Sequence, residues 1–362
     1  DWFAKLREAK STAQQIRQPM LLQIGDELFT VKPSGQGSGQ DAHKEITLGW
    51  KEVQIGLSER NRATRQLSNA SLVVSGKPCL VTGWTEAWMC FRRVVEGLGG
   101  QIIDEWLRRL DFCIDIVGLD FTRTLYPLLK DRQFTTRCRD RKYDEEGDRA
   151  KSFSTGKSSR LRVLIYDKLL ECLTKQDSVY GQAMIQRRWG GTIPSCASRV
   201  EWQMGRPWLK QFGLDKSESI VDRLSDLYAK LADETGGAFR ITNKVPDRAN
   251  QHQSRVASHP AWRRIVAIGR ETMGDSTQPL VRLDRSNLDE SRAIKQVAGL
   301  ITSIADRAGI VCLSTADAQS ILAETLQRHK IGDYEIAQSY ERKAKVSGTW
   351  QELVSFPAKE AA

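Results

Sequence analysis

The sequence lacks the usual marks of a metal-cluster or disulfide-stapled protein. Its seven cysteines, Cys79, Cys90, Cys113, Cys138, Cys172, Cys196 and Cys312, form no Cys-x-x-Cys pair and are odd in number, which argues against a zinc cluster and a disulfide framework. A reducing cytoplasm fits that usage. Histidine is scarcer: His43, His252, His259 and His329 are the full set, and none are spaced to put two imidazoles on one face of a strand. No apolar run approaches the roughly 18 residues of a membrane span, so no membrane partner is expected. The chain opens at Asp1 with no methionine or apolar leader, so a trimmed or fragmentary chain is expected. No fixed-period repeat is evident.

What the sequence does have is basic charge. Lys and Arg number 55 against 45 Asp and Glu, a net +10 that favours a polyanionic partner, nucleic acid being the commonest. At 362 residues the chain exceeds the roughly 250–300 at which one core stops growing, so several regions are expected. Residues 33–45, rich in Gly, Ser and Gln, have the composition of a linker, which makes residues 1–32 an N-terminal appendage. Residues 46–270 read as the main domain and 271–362 as a mostly helical C-terminal region.

Within the main domain, short alternating runs cover Lys51 to Leu57, Ser71 to Val74 and Cys79 to Thr82, the last pair flanking a hairpin-like turn at Gly76-Lys-Pro. Trp84, Trp88, Phe91, Val95 and Leu98 follow helical spacing, and Gly99-Gly100 ends that helix. Ile220, Leu224, Leu227, Tyr228 and Leu231 predict a second helix over 217–233. Residues 286–345 are expected to be mostly helical, with Ile294, Val297, Ile301, Ile304 and Ala308 on one face and Ile321, Leu322 and Leu326 on another. The expected class is α+β, a central, mainly antiparallel sheet backed by helices 84–98 and 217–233.

Three runs alternate strictly. Leu110 to Ile116 puts Asp111 and Asp115 on one face; Leu161 to Lys168 groups Arg162, Tyr166 and Lys168; Ser198 to Met204 groups Arg199, Glu201 and Gln203. If these strands are neighbours, one sheet face gathers three carboxylates, a phenol and an amine. Clustered carboxylates repel, and a hard cation such as Mg²⁺ or Mn²⁺ is the usual remedy. A bound cation would polarise a phosphate, Tyr166 would attack phosphorus, and Lys168 would stabilise charge or lower the tyrosine pKa. Ordinary alternation on a solvated antiparallel sheet gives the same pattern without any chemistry.

The order Arg109-Leu-Asp-Phe-Cys-Ile-Asp115, Leu161-Arg-Val-Leu-Ile-Tyr-Asp-Lys-Leu-Leu-Glu171 and Arg199-Val-Glu-Trp-Gln203 resembles the replication initiation proteins of staphylococcal rolling-circle plasmids and their bacteriophage relatives. The resemblance covers roughly residues 50–270. It implies a degenerate HUH endonuclease fold, although the His-hydrophobic-His pair of better-known HUH enzymes is missing. It also implies an enzyme whose tyrosine nicks origin DNA, single-stranded or extruded as a hairpin, remains on the 5′ phosphate and leaves a 3′ hydroxyl to prime synthesis. Tyr166 would be the nucleophile with Lys168, the metal ligands Asp111, Asp115 and Glu201, and the support Glu171 and Arg199. A host helicase and a second copy of the chain are candidate partners.

Residues 130–160, dense in charge, read as an exposed basic excursion suited to origin contacts through Arg137, Arg139, Arg141, Lys157 and Arg160, with Arg162 beside them. A polar stretch from Pro246 to Arg255, ahead of His259-Pro-Ala-Trp262, resembles the end of the phage-type relatives and offers Asn250, Arg255 and Arg263 as phosphate contacts, an ordinary surface loop with two arginines being the alternative. Three other readings compete, of which a protein-interaction scaffold, suggested by the tail, leaves the three-strand polar face unexplained. A non-catalytic DNA-binding regulator of a mobile element would share the charge but have no use for Tyr166. A tyrosine recombinase would need a His-x-x-Arg, whereas His259 is followed by Arg263, and Tyr334 and Tyr340 lie too far on.

Overall fold

The computed structural model describes residues 2–35, 44–59, 68–147, 149–247, 255–281, 290–307 and 314–332, with a few single positions besides. Asn250, His43, His252, Cys312, Tyr334, Tyr340 and most of the 33–45 linker lie outside those residues. Two units emerge, Asp1–Leu280 and Val281–Ala362.

The first unit begins with α1 (Trp2–Ile16), then β1 (Met20–Ile24), β2 (Glu27–Val31), β3 (Ile46–Trp50), β4 (Val53–Leu57) and β5 (Ala70–Val73), a five-stranded sheet in sequence order. Every pairing is antiparallel. Residues 1–32 are thus not a separate appendage. Thr30 and Val31 pair with Gly49 and Leu48, so β1 and β2 continue the ladder begun by β3. The inner face carries Phe29, Val31, Leu48 and Ile55, all fully buried against Leu6 of α1 and Ala87, Phe91 and Val94 of α3 (Trp84–Gly97). The helix expected at 84–98 therefore forms, but it backs this first sheet. Between them α2 (Gly76–Val81) replaces the strand and hairpin turn expected around Gly76, because Pro78 sits in its first turn, where its missing N–H costs nothing.

A second five-stranded sheet follows. β6 (Arg109–Val117) leads into a π-turn at Phe121–Leu125 and α4 (Tyr126–Lys130); then come β7 (Phe134–Thr136), β8 (Arg141–Glu146), β9 (Arg149–Lys157) and β10 (Leu161–Asp167). After α5 (Lys168–Lys175) and α6 (Ser178–Arg188), β11 (Ala197–Gly205) inserts between β6 and β10, giving the order β6-β11-β10-β9-β8, antiparallel throughout. The excursion expected at 130–160 is for the most part the outer hairpin of this sheet. Its charges occupy an edge strand, while Ala150, Phe153 and Thr155 of β9 turn inward.

The chain then forms α7 (Arg206–Lys210), α8 (Ser217–Val221), α9 (Leu224–Ala232), β12 (Phe239–Ile241), which pairs with β7, and α10 (Pro260–Met273). The helix expected over 217–233 is two, parted at Asp222 and Arg223. One apolar face of the second sheet, with Ile114, Ile116, Val163, Ile165, Val200 and Trp202, packs on Leu227, Tyr228, Trp262 and Ile265 of α9 and α10. Trp202 meets Trp262 edge to face with centroids 6.4 Å apart, and the Trp262 indole donates to the Ala232 carbonyl at 3.0 Å. Tyr228 lies flat on α10 where Gly269 leaves room: a Cβ there would fall 2.1 Å from the ring. Nearby, buried Asp226 accepts hydrogen bonds from the Ser276 hydroxyl (2.8 Å), the Thr277 and Gln278 amides (3.1 and 3.0 Å) and the Arg223 guanidinium (3.1 Å), fixing the turn after α10.

The molecule thus belongs to the α+β class, with antiparallel sheets flanked by helices. Taken by itself, the second unit contains α11 (Glu290–Arg307) and α12 (Thr315–Arg328), the latter opened by a capping box between Ser314 and Asp317. Ile321 is buried and Leu322 exposed, and Ile294 and Ala308 lie among positions whose side chains are not described. Among the described residues no helix is long and apolar enough to cross a membrane.

Candidate active site

Strand pairing decides which side chains meet. In the second sheet Tyr166 pairs with Arg199, which pairs in turn with Asp115; Leu164, Glu201 and Cys113 form the next row; Arg162, Gln203 and Asp111 the third. Because directly paired residues project to the same side, Asp111, Asp115, Arg162, Tyr166, Arg199 and Glu201 all share one polar face, opposite the apolar one on α9 and α10. The three alternating runs of the sequence are the three adjacent strands β6, β11 and β10.

On that face the groups pair off. Arg199 grips Asp115 with both arms of its guanidinium, at 2.5 and 2.8 Å, in a pair whose side chains are 9% and 2% exposed. Burial works against the Arg199 charge, but the Asp115 hydrogen bonds win and hold it fully protonated. Arg109 holds Asp111 in the same fashion at 2.6 and 2.7 Å, at the exposed edge. Glu201 accepts the Tyr166 hydroxyl on Oε2 at 3.3 Å and the Gln203 amide on Oε1 at 2.7 Å. Burial pushes the Tyr166 phenol well above its ordinary pKa; Arg199 works against this and Glu201 adds to it. The phenol is therefore neutral at physiological pH and needs a base to become a nucleophile.

The expected Mg²⁺ or Mn²⁺ site does not take shape from Asp111, Asp115 and Glu201 as they are arranged. A hard divalent ion wants six or more converging oxygens, whereas two of these carboxylates are each engaged by their own arginine. Among the described residues no three His, Cys, Asp or Glu side chains gather in a metal-binding group. The donor set does not fit the ion, and the chemistry derived below uses the chain's own groups.

Lys168 also departs from expectation. The strand stops at Asp167, whose carboxylate caps α5 by accepting the Leu170 amide at 2.8 Å, so Lys168 starts a helix and does not follow Tyr166 along the strand. Lys168 is 1% exposed, and its ammonium donates to Glu171 and, at 2.8 Å, to the Tyr180 hydroxyl of α6, and lies 5.8 Å from the centre of the Tyr166 ring. Burial works to raise the Glu171 pKa, but hydrogen bonds from Lys168 and Lys175 outweigh it and hold that carboxylate below its ordinary range. Lys168 and Glu171 thus fasten α5 and α6 beside the phenol, and Arg199 reaches the Met184 sulfur of α6 at 3.8 Å.

The residues expected to contact DNA divide by position. Arg162 is on the polar face, donating to the Ser154 hydroxyl at 3.1 Å. Lys157 and Arg160 bracket the β9–β10 turn, and the Arg160 carbonyl takes the Gly205 amide at 2.8 Å, holding that turn against the end of β11. Arg137 and Arg139 lie in the turn before β8, whose Asp140 carbonyl accepts the Gly156 amide at 3.0 Å. These exposed cations form a rim at the end of the sheet toward which Arg162 lies from Tyr166, roughly 13 Å along β10 at the strand rise. Arg141 faces the other way, its guanidinium 5.4 Å from the centre of the Phe134 ring, and exposed Arg255 precedes α10 in the helical layer on the apolar side.

Sequence reasoning sets Gln203 on the face of Arg199 and Glu201 but gives it no role, because it carries no charge to draw attention. Tyr180 offered no signal at all, since only tertiary packing brings it to Lys168.

No family model matches the chain, and no curated protein is significantly similar to it in sequence. Among solved structures the chain is similar, at 14% identity and a TM-score of 0.41 with 69% of this chain and 85% of that one covered, to the rolling circle replication initiator protein from Geobacillus stearothermophilus.

Proposed function

We propose that the chain is a rolling-circle replication initiator that nicks and rejoins one strand of origin DNA through Tyr166. The observation that carries this reading is the hydrogen bond from the Tyr166 hydroxyl to Glu201 on the polar face of a sheet whose far rim is lined with arginine and lysine. A nucleophile with a base in reach, next to a polyanion-binding surface, is the minimum equipment for phosphoryl transfer.

In the step envisaged, Tyr166 Oη attacks the scissile phosphorus while its proton passes to Glu201. The Oη–P bond forms as the P–O3′ bond breaks; the 3′ oxygen leaves with the bonding electrons and is protonated by water. The strand's 5′ phosphate stays on the tyrosine. Rejoining is the reverse, with a 3′ hydroxyl attacking the phosphotyrosine and Glu201 returning the proton. The rim residues Arg137, Arg139, Lys157 and Arg160, with Arg162, would hold phosphates and lead the strand toward the phenol. Asp115 and Arg199 keep β6 and β11 in register beneath it, and Lys168 and Glu171 fix the helices beside it.

The test takes the full chain and a labelled pool of single-stranded 40-mers of randomised sequence, with Mg²⁺, with Mn²⁺ and with EDTA. Adducts that survive a denaturing gel are isolated and sequenced. A covalent adduct enriched for one sequence is expected, and Tyr166→Phe should abolish it while DNA affinity stays nearly intact. DNA binding without any adduct in the wild type would instead make the chain a non-catalytic regulator.

A further inference from the structure

We infer that Gln203 is a positioning residue for strand cleavage, pinning Glu201 so that one carboxylate oxygen stays on the Tyr166 hydroxyl; this rests on the nicking role given above. A carboxylate is planar, so fixing one oxygen aims the other. Gln203 Nε2 holds Glu201 Oε1 at 2.7 Å, and Oε2 then meets Tyr166 Oη at 3.3 Å. The residues come from two adjacent strands, Gln203 two positions beyond Glu201 on β11, with Tyr166 on β10. This is the logic of catalytic triads, in which a base is oriented by a third group.

Two further observations separate this role from packing. First, Gln203 is only 7% exposed, and among the described residues no donor reaches its Oε1. A buried carbonyl oxygen left unpaired is unfavourable, and a methionine or leucine would fill the space without that cost. Keeping an amide there makes sense only through what its nitrogen does. Second, Glu201 has a competitor at hand. Arg109, clamped on Asp111, lies close enough to feel the Glu201 charge. Without the amide, Glu201 is free to turn toward that guanidinium and away from the phenol. A neutral donor is also the right kind of clamp: a lysine or arginine at 203 would hold the carboxylate but quench its appetite for a proton.

The experiment uses the full chain and an oligonucleotide captured from the random pool, with single-turnover cleavage and equilibrium binding measured separately. Gln203→Met should slow cleavage by about 10–100-fold, a part of the roughly 100–10,000-fold that a positioned base contributes, with the dissociation constant changed by less than about twofold. Glu201→Gln should slow it at least as much. The deciding measurement is the double variant: if Gln203 acts only through Glu201, Gln203→Met in the Glu201→Gln background slows nothing further. Gln203→Leu also removes the donor and should reproduce the Gln203→Met loss. A Gln203→Met rate within twofold of wild type, losses that multiply in the double variant, or both Gln203 variants failing to fold would each overturn the inference. An adduct that persists in Tyr166→Phe would instead overturn the nucleophile assignment, and a wild type that captures no strand would remove the reaction and this inference with it.

Discussion

The two five-stranded antiparallel sheets of this chain are built alike and equipped differently. In β1–β5 the only ionisable side chain is Glu27, which accepts the Trp50 indole N–H at 2.8 Å; the outer face offers Leu21, Thr30, Gly49, Gln54 and Val73. In the second sheet β6, β10 and β11 alone bring Arg109, Asp111, Asp115, Arg162, Tyr166, Arg199 and Glu201 to one side. Sheet architecture therefore says nothing about chemistry here. What separates the two is whether the residues at every second position can carry charge, and whether the strands are in register to pair those charges. Among the described residues, the buried charged side chains include Lys168, Arg199, Asp115 and Asp226 on the second sheet and its helices, Arg240 on β12 of the two-stranded pair, and Lys44 beside the first sheet.

That contrast can be broken or sharpened by experiment, beginning with the buried pair. Asp115→Asn leaves the Arg199 guanidinium buried without its counter-charge and should cost about 3–5 kcal/mol, read as a lower urea midpoint. Gln54→Leu, at a comparable cross-strand site of the first sheet, should change stability by no more than about 0.5 kcal/mol. Equal losses at the two sites would erase the distinction.

Acid should separate the sheets next. Burial tends to raise the Asp226 pKa, but hydrogen bonds from the Gln278 amide, the Ser276 hydroxyl and the Arg223 guanidinium prevail and hold it below its ordinary value of 3.8. A carboxyl whose folded pKa is depressed contributes stability above its unfolded pKa and loses it as pH falls through the folded value. Below about pH 4, amide exchange should therefore accelerate in α9 and α10 before it does in β2–β4, and Asp226→Asn should flatten that acid dependence. Simultaneous loss of protection in both regions would contradict it.

The smallest effect concerns the rim. Arg160→Ala and Arg162→Ala should each weaken single-strand binding and reduce the slope of log affinity against log salt by somewhat less than one unit. Lys5→Ala, on α1 of the first sheet, should leave both unchanged. A slope that responds equally to Lys5 would move the nucleic-acid surface off the second sheet.

Much of the site could be read from the sequence because it is written in local alternation. Leu110 to Ile116, Leu161 to Lys168 and Ser198 to Met204 emerge as β6, β10 and β11 within a residue or two, and strand register then sets Tyr166 opposite Arg199 and diagonal to Glu201. What could not be read depends on partners distant in the chain. The fork of Arg199 onto Asp115 spans 84 residues and turns a metal-ligand candidate into half of an ion pair. The order β6-β11-β10 is a matter of topology, with β11 last in sequence and second in space. The 130–160 segment looked like a loop because an edge strand can keep its charges wet along most of its length, so only Ala150, Phe153 and Thr155 betrayed the pleat. Residues 1–32 looked detachable because a Gly- and Ser-rich connection says nothing about whether the strands on either side of it pair.

The contact between Gly269 and the Tyr228 ring bears on how such a chain can drift. Mid-helix glycine is ordinarily a position where alanine is an improvement of about 1 kcal/mol, so drift alone should replace it. Here an added methyl would collide with the aromatic ring, whose hydroxyl is itself anchored on the Ile265 carbonyl at 2.6 Å. The two sites are therefore bound to change together: lineages that give up the tyrosine gain access to alanine at 269, and those that retain it do not.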